Sequence, residues 1–287
     1  MLVGIALVRN EEDLVETTIR HHLAQGLDRI LIADNDSTDA TPRLLEQMAA
    51  ADRRVLWSRT RGAGFHQAEA TTELAAAAVK LGAGWILPFD ADEFWYAPGG
   101  LAAALRDRSE DAFSVPVVNF IQARGELKRH KRGVLRAVYR SEVSFGDYRR
   151  ARHGVEAGEF SYVEAPYQRK YIARAVAGLR FGPGNHTLKG VGTKRPRRHP
   201  FQCLHLPLRA RDVFHEKAAQ AERLKAAGLP HWHGWQSHRF AKAVREGWAD
   251  KEWAANSQRD GMLDAARGQV KLAYDTRLRD LLANCID

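Results

Sequence analysis

The first hundred residues alternate short apolar runs with segments that carry helix-start and helix-stop residues. The apolar runs are LVGIALV (2–8), RILIA (29–33), RVLWSR (54–59) and WILPFD (85–90). Runs of this length fit strands that are buried on both faces, and strands joined by helices at short spacing form a parallel sheet with right-handed crossovers. The pattern therefore predicts an α/β fold with a mostly parallel central sheet flanked by helices.

Residue types that favour helix termini mark where the predicted helices begin and end. Asn10 is suited to cap the first helix and Gly26 to end it, while Thr41 and Pro42 fit the cap and the first residue of the second helix. A third, alanine-rich helix follows a glycine-rich turn and stops near Gly82. Each predicted strand is therefore followed by a polar loop and then by a helix or a new turn.

The alternation becomes looser after residue 100. FSVPVVNFIQ (113–122) and KYIARA (170–175) each predict a strand. Helical segments are expected from about residue 211 onward, in RDVFHEKAAQAERLKAAG (211–228) and QVKLAYDTRLRDLLAN (269–284). The expected architecture is thus an α/β sheet domain followed by a C-terminal helical extension.

Composition bounds the class of protein. The chain has 287 residues, of which 45% are hydrophobic and 28% charged, as in an ordinary globular protein. Cys203 and Cys285 are the only cysteines, so no disulfide framework is expected. The N-terminus lacks the pattern of a secretion signal, and no uncharged stretch is long enough to span a membrane. A cytoplasmic protein is expected on these grounds.

The charge is unevenly distributed along the chain. Residues 1–100 hold 9 Lys/Arg and 15 Asp/Glu, whereas the remaining residues hold 35 and 20. A basic second part suggests an anionic partner, such as nucleic acid, a phospholipid surface or an acidic acceptor. Solvated arginine-rich faces are the alternative interpretation.

Polar residues follow each of the first four predicted strands. Asn10 and Glu11 follow the first, 34–36 the second, 61–67 the third and 90–93 the fourth. In a parallel sheet the carboxyl ends of the strands meet at one edge, which is where ligands bind in open α/β folds. Four loops with ligand-capable residues are therefore expected to converge there.

Asp90 and Asp92 lie two positions apart at the end of the fourth run, with Glu93 beside them. In an extended chain both aspartate side chains leave on the same side, where their charges repel unless a cation lies near. Mg²⁺ and Mn²⁺ take such oxygen ligands and share them with substrate phosphates. The cluster predicts a divalent metal site, although it would also serve to cap a following helix.

The motifs together resemble a known family. VRNEEDLVETTIRHHLAQGLDRILIADNDSTDAT, then RGAGFHQAEA, then FDADEFW, is similar to family 2 glycosyltransferases of the GT-A fold. The resemblance is strongest to a bacterial branch in which Asp-Ala-Asp-Glu-Phe is the DXD motif. It covers residues 2–100 well and 170–209 more loosely. The turn after the second strand reads Asp-Asn-Asp, where many relatives have Asp-Asp-Gly.

The resemblance implies roles for particular residues. Asp34, Asn35 and Asp36 would read the nucleotide base and ribose, and Asp90 and Asp92 would hold Mn²⁺ or Mg²⁺, completed by His186 or His205. Arg61 and Arg209 would meet phosphates. The full expected nucleotide-sugar site is Val8, Asn10, Glu11, Asp34, Asn35, Asp36, Arg61, Gly64, Gln67, Asp90, Ala91, Asp92 and Arg209.

The implied reaction is transfer of a sugar, expected to be a hexose from a UDP-sugar, to an acceptor hydroxyl with inversion. The acceptor would be a saccharide, a lipid-linked molecule or another hydroxyl compound, in cell-surface polysaccharide or glycoconjugate synthesis. Residues 1–110 would bind the donor, 111–210 the acceptor, and 211–287 would extend the domain. Candidates for the catalytic base are Asp147, Glu156, Glu159 and Glu164.

The basic segment KRHKR (128–132) is interpreted as a contact with an anionic acceptor or with the inner face of the membrane, and a solvated loop is the alternative interpretation.

Two other classes of protein remain as alternatives. A phosphohydrolase or phosphotransferase also uses D-x-D, but after its first strand and before Gly-Thr, whereas here the motif follows the fourth strand and precedes Glu-Phe. A nucleic-acid-binding protein would need a recognisable fold motif with interleaved aromatic residues, and none is found, so no nucleic acid is expected.

Overall fold

The computed structural model describes residues 1–60, 67–142, 148–194, 196, 198–230, 234–263 and 271–286. These residues form two compact units. Unit 1 comprises Met1–Val117 and Arg169–Leu204, and unit 2 comprises Val118–Gln168 and His205–Ile286. The functional division predicted at residues 110 and 210 stays a prediction.

The strands, in chain order, are β1 Leu2–Val8, β2 Arg29–Asp34, β3 Val55–Arg59, β4 Trp85–Pro88, β5 Glu93–Tyr96, β6 Ala112–Val115, β7 Val117–Asn119, β8 Tyr139–Glu142, β9 Lys170–Arg174, β10 Arg180–Phe181, β11 Leu188–Lys189, β12 Gln202–His205, β13 Gln258–Arg259, β14 Met262–Leu263 and β15 Lys271–Tyr274.

The α-helices are α1 Val15–Ala24, α2 Thr41–Ala51, α3 Gln67–Lys80, α4 Leu101–Leu105, α5 Tyr148–Ala157, α6 Arg211–Ala226, α7 Trp235–Arg245, α8 Ala249–Ala255 and α9 Arg277–Leu282. Short 3-10 helices cover Lys131–Arg136, Tyr162–Glu164 and Pro183–Asn185. Among the described residues, no helix is both long enough and apolar enough to cross a membrane.

Unit 1 is built on a six-stranded sheet in the order β3-β2-β1-β4-β9-β6. β1 pairs in parallel with β2 and with β4, and β2 pairs in parallel with β3, as the sequence predicted. β9 runs antiparallel to both of its neighbours. The parallel register brings Val8, Asp34 and Arg59 level with one another at the carboxyl edge. The loops after β1 and β2 therefore begin side by side, whereas residues 61–66 of the third predicted loop lie outside the described residues.

Both faces of this sheet are buried. Alternate strand residues enter two different core clusters, because neighbouring side chains in a strand point to opposite faces. One face contributes Leu2, Ala6, Ile30, Ile32 and Leu87 and is covered by α1 residues such as Val15 and Ile19. The other contributes Val3, Ile5, Leu31 and Ile86 and is covered by Ala75 and Ala78 of α3. Each fully buried aliphatic side chain stabilises the fold by about 1.5–3 kcal/mol.

The first two helix starts differ from the sequence prediction. α1 begins at Val15, so Asn10 is not its cap; Asn10 has a φ of 55° and its Oδ1 accepts a hydrogen bond from the Thr38 amide. Thr41 is the first residue of α2 rather than its cap, and its hydroxyl oxygen accepts from the Glu11 amide. Both side chains join two neighbouring loops, a long-range use that local capping rules do not anticipate.

Two later predictions also need correction. The single strand expected over 113–122 is two strands, β6 and β7, with Pro116 between them; proline lacks the amide that a continuous ladder needs. The helix expected over 269–284 is confined to α9, because Lys271–Tyr274 pairs antiparallel with β8. The helix predicted over 211–228 is confirmed as α6.

Unit 2 has its own core, made largely of aromatic side chains. Tyr162, Phe214, Phe240 and Trp253 are at most 3% exposed. Phe214 on α6 and Phe240 on α7 lie with ring centroids 4.6 Å apart. The core of unit 2 therefore depends on the contact between α6 and α7.

Two adjacent histidines of α1 are buried in unit 1. His21 Nε2 lies 2.8 Å from the Trp95 carbonyl oxygen, to which it donates. His22 Nδ1 donates to the Thr18 carbonyl, and its Nε2 accepts from the Trp95 amide at 3.4 Å. His22 must therefore be neutral to keep both bonds. Burial lowers the pKa of His21 to about 4 and lowers that of His22 well below its ordinary value.

We expect the free energy of unfolding to decrease as the pH is lowered, because His21 is buried in its neutral form. The unfolded chain binds a proton at His21 below about pH 6.5, whereas the folded chain resists it until about pH 4. Stabilisation is therefore complete above pH 6.5 and is lost as the pH falls towards 4, by about 2 kcal/mol between pH 7.5 and 5.0. Urea unfolding at both pH values measures this loss.

The matched control is His21→Gln, which keeps an N–H donor for the Trp95 carbonyl but cannot take up a proton. Its stability should change less between pH 7.5 and 5.0 than that of the wild type, by about 2 kcal/mol. Identical pH slopes for the two proteins would contradict the assignment.

Candidate functional site

Asp34 ends β2 at the carboxyl edge of the sheet and is completely buried. Its Oδ2 accepts from the Ser37 amide at 3.4 Å and from Arg59 Nε at 3.3 Å. Among the described residues, no donor reaches Oδ1, although this oxygen is also buried. A buried carboxylate oxygen without a donor is costly unless a ligand supplies one. Asp34 is therefore placed to accept a hydrogen bond from a bound molecule.

The loops after β1 and β2 are tied together around Asp34. The amides of Asn10, Glu11 and Glu12 donate to Ser37 Oγ, Thr41 Oγ1 and Asp39 Oδ2, respectively. The Asn35 amide donates to the Val8 carbonyl, and Asp36 is exposed with a φ of 54°. Val8, Asn10, Glu11, Asn35 and Asp36 are thus brought together, as predicted, on one rim.

The carboxylates 90–93 lie on a turn, not on an extended strand. The Glu93 amide donates to the Asp90 carbonyl at 3.0 Å, and the Asp90 amide donates to Glu93 Oε2 at 3.3 Å. The expectation that Asp90 and Asp92 leave an extended chain on the same side is therefore wrong. The turn nevertheless keeps the three carboxylates together, with Asp92 7% and Glu93 0% exposed.

Lys170, the first residue of β9, supplies the cation of this cluster. Its side chain is 1% exposed, its Nζ lies 2.6 Å from Asp90 Oδ2, and it also forms an ion pair with Glu93 Oε1. Burial works to lower the pKa of Lys170, but the charges of Asp90 and Glu93 outweigh it and raise the pKa above its ordinary value. Lys170 therefore carries a fixed positive charge.

Glu93 and Cys203 respond to the same buried environment. Burial raises the pKa of Glu93 to about 8; Lys170 opposes this rise, and the charges of Asp90 and Asp92 add to it. Burial also raises the pKa of the Cys203 thiol well above its ordinary value. Cys203 therefore adds no charge, and the balance is set by the three carboxylates and Lys170.

Helix α1 contacts the carboxylate turn through hydrogen bonds from its side chains. Thr18 Oγ1 donates to the Ala91 carbonyl at 2.6 Å, and both residues are buried. The bonds from His21 and His22 to the backbone of Trp95 fix the strand that follows. Side chains of one helix thus bind the backbone within the carboxylate turn, at Ala91, and two residues beyond it, at Trp95.

Gln67, the first residue of α3, links Asp90 to the segment that carries His186. Gln67 Nε2 lies 3.5 Å from Asp90 Oδ1, and its Oε1 accepts from the Gly184 amide at 3.3 Å. His186 Nδ1 donates to the Arg169 carbonyl at 3.2 Å. That bond leaves the lone pair on Nε2, the tautomer that a metal-binding histidine needs. Its role as a ligand stays a prediction.

The other candidates belong to unit 2. His205 is 2% exposed, and its Nδ1 donates to Asn119 Oδ1 at 2.8 Å, which again leaves the lone pair on Nε2. Arg209 is 5% exposed. Glu164 accepts from both the amide and the hydroxyl of Ser161, closing a capping box.

The remaining candidate bases differ in exposure. Glu156 forms an ion pair with Arg152 at 3.7 Å, whereas Glu159 is exposed. Arg61, Gly64 and Asp147 lie outside the described residues, as do 231–233 of the His- and Trp-rich segment 231–235.

The donor set of unit 1 fits a hard divalent cation. Within the described ranges, Asp90 Oδ1 has one contact, with Gln67 Nε2 at 3.5 Å, and the Asp90 side chain is 31% exposed. Asp92 adds a second carboxylate on the same turn. Carboxylate oxygens are the ligands that Mg²⁺ and Mn²⁺ prefer.

The sequence reasoning missed Lys170 and Arg59. Both lie at positions that strand register makes informative: Arg59 pairs with Asp34 across β2 and β3, and Lys170 begins a strand whose other residues are largely apolar. A lysine at the head of such a strand, in a chain with unmatched carboxylates after β4, was the available signal.

The family follows from a sequence comparison. A model of the family described as "Glycosyl transferase family 2" matches residues 5–174, more than half of the chain. The chain belongs to glycosyl transferase family 2. As a member it is a glycosyltransferase, and its α/β fold with a six-stranded central sheet confirms the GT-A fold class predicted from the sequence. The matched range contains Asp34, Gln67, Asp90, Asp92 and Lys170, whereas His186, His205 and Arg209 lie beyond it.

Three solved structures illustrate what this family 2 glycosyltransferase is similar to. S. aureus TarS (1-349) is 11% identical with a TM-score of 0.43, over 87% of this chain and 73% of that one. The mannosyltransferase PcManGT from Pyrobaculum calidifontis, in complex with GDP-Man and Mn²⁺, is 18% identical with a TM-score of 0.42, over 89% and 73%.

Glucosyl-3-phosphoglycerate synthase from Mycobacterium tuberculosis, in complex with Mn²⁺, UDP and its product, is 18% identical with a TM-score of 0.32, over 61% and 57%. Comparison with curated proteins gives no significant match. At these identities and TM-scores, the similarities do not identify a donor or an acceptor for this glycosyltransferase.

We expect the α1 anchor to contribute to stability. Thr18→Val removes the hydroxyl that donates to the Ala91 carbonyl and leaves a buried acceptor unpaired, which should destabilise unit 1 by about 1–3 kcal/mol. Urea unfolding measures the change. Thr72→Val is the control, since Thr72 donates within its own helix to Ala68 and is less buried; it should change stability by less than about 0.5 kcal/mol. Equal effects would argue against an anchoring role for Thr18.

Proposed function

We propose that the chain is a metal-dependent glycosyltransferase that moves a sugar from a nucleotide diphosphate donor, expected to be a UDP-sugar, to an acceptor hydroxyl. One observation carries the proposal. A buried carboxylate oxygen of Asp34, which has no hydrogen-bond partner in the described part of the chain, and the carboxylate turn of Asp90 and Asp92 lie at the same edge of one sheet. Family membership supplies the reaction class.

Asp34 would bind the nucleoside end of the donor. An ionised carboxylate is only an acceptor, so its partner must carry a donor group, such as a ribose hydroxyl or a base N–H. The guanidinium of Arg59 lies beside it and is half exposed, with 54% of its side chain accessible. Arg59 therefore binds Oδ2 of Asp34, and Oδ1 of Asp34 would accept the hydrogen bond from the ligand.

Asp90 and Asp92 would hold a divalent cation together with the donor diphosphate. When bound, Mn²⁺ or Mg²⁺ stabilises the negative charge of the departing diphosphate. His186, His205 and Arg209 remain proposed additions to this region. The two carboxylates would neutralise the charge of the cation, and Lys170 offsets part of the negative charge of their turn.

The acceptor hydroxyl must lose a proton during transfer, which calls for a base. Asp147, Glu156, Glu159 and Glu164 remain the proposed candidates. Glu164 is committed to the capping box with Ser161, and Glu156 to Arg152, so the exposed Glu159 is the least restrained of the three described. The Lys/Arg excess after residue 100 supports an anionic acceptor or contact with a membrane surface.

The function is tested by screening nucleotide sugars for Mn²⁺-dependent binding and hydrolysis, with duplex DNA and a phosphomonoester in parallel. We expect one nucleotide sugar to raise the melting temperature only with metal. Asp92→Asn should abolish this shift, whereas Glu73→Gln, an exposed change on α3, should leave it intact. A wild-type protein that responds to DNA or to the phosphomonoester alone would overturn the proposal.

Replacing Asp34 with Ala should weaken nucleotide binding by about 10- to 100-fold, because a hydrogen bond to a charged group contributes about 1.5–3 kcal/mol. Calorimetric titration with UDP and Mn²⁺ measures the dissociation constant. Glu46→Ala, an exposed change on α2, is the control. An Asp34→Ala protein that melts normally and binds UDP as tightly as the wild type would exclude Asp34 from the nucleoside site.

A further inference from the structure

The position of Lys170 is fixed by strand pairing. β9 pairs antiparallel with β6, where Val115 lies opposite Lys170, and with β4, where Ile86 lies opposite Ala173. Continuing the second register places Lys170 level with Phe89, one residue before Asp90. The side chain is 1% exposed. The backbone of β9 is therefore fixed between two strands, and the ammonium group of Lys170 lies beside the carboxylate turn.

This placement divides the oxygens of Asp90. Oδ2 lies 2.6 Å from Lys170 Nζ, a strong charge-assisted contact, whereas the contact of Oδ1 among the residues that the structure describes is the 3.5 Å one with Gln67. The second partner of Lys170 is Glu93, which is fully buried. Lys170 thus forms ion pairs with Glu93 and with one oxygen of Asp90, and the other oxygen of Asp90 is not bound to Lys170.

We propose that Lys170 is a positioning residue for the metal site: it orients the Asp90 carboxylate so that Oδ1, together with Asp92, is ready for a single divalent cation. This inference rests on the proposed function, since it requires a metal at Asp90 and Asp92. Lys170 itself touches neither the cation nor the donor. It acts by fixing a ligand before the cation arrives, which lowers the cost of ordering that ligand on binding.

A purely structural role is the competing explanation. A buried ammonium between two carboxylates is costly to remove, because an unpaired buried charge destabilises a protein by about 3–5 kcal/mol. Loss of stability in a Lys170 variant would therefore not distinguish the two roles. The distinguishing quantity is the metal affinity of a folded variant in which Lys170 and its buried partner Glu93 are replaced together.

The double variant Lys170→Met/Glu93→Gln meets this requirement. It removes the buried ammonium group together with its buried carboxyl partner, and it leaves Asp90, whose side chain is 31% exposed, without the contact to Lys170. Glu93→Gln alone keeps the contact between Lys170 and Asp90. Lys189→Met, an exposed change on β11, is the surface control.

Mn²⁺ binding to the full chain, without donor, is measured by electron paramagnetic resonance. We expect the double variant to bind Mn²⁺ 10- to 100-fold more weakly than the wild type, the loss typical when a partner of a metal ligand is removed. Glu93→Gln should lose less than the double variant, and Lys189→Met should match the wild type.

The outcomes separate this inference from the proposed function. If the wild type binds Mn²⁺ and Asp92→Asn does not, but the double variant binds as tightly as the wild type, Lys170 serves only to stabilise Glu93 and the positioning role is overturned. If the wild type binds no Mn²⁺ even with UDP, both proposals fall. A double variant that fails to fold, judged by thermal melting, would likewise favour the structural role and count against the inference.

Discussion

The site depends on one electrostatic constraint: three carboxylates are held on a single turn at the end of β4, and two of them are almost removed from water. Like charges at this spacing would push one another apart or stay protonated. The buried ammonium of Lys170 removes part of that repulsion without leaving the cluster neutral. The residual negative charge at the sheet edge is the feature on which the proposed metal site depends.

The edge of the sheet was predictable because few physical rules determine it. Apolar runs between helix signals indicated the parallel strands, and parallel strands bring Asp34 and Asp90 to one edge whatever the details of the loops. Local geometry was less accessible. Asn10 and Thr41 looked like helix caps by residue type, yet each bonds to a loop distant in sequence. Local preference was overridden by a contact about thirty residues away.

Contacts between residues that are far apart in the sequence were the least predictable part of the site. Lys170 meets Asp90 across 80 residues of sequence, and only the antiparallel insertion of β9 between β4 and β6 brings them together. Hydrophobic patterning indicates that 170–175 is a strand but not where it inserts. Similarly, LAY in 269–284 is compatible with a helix or a strand, and pairing with β8 decides between them.

The order of synthesis gives the placement of β9 a kinetic consequence. Unit 1 is interrupted in sequence by residues 118–168, and β6 joins the central sheet only through β9. A growing chain that has reached residue 117 lacks β9, the strand that pairs with the edge of β4, and its acidic turn lacks Lys170. Such an edge invites pairing with other chains until the missing strand arrives. Completion of the sheet and partial neutralisation of the turn thus depend on the same long-range pairing of β9, the kind of contact that slows folding.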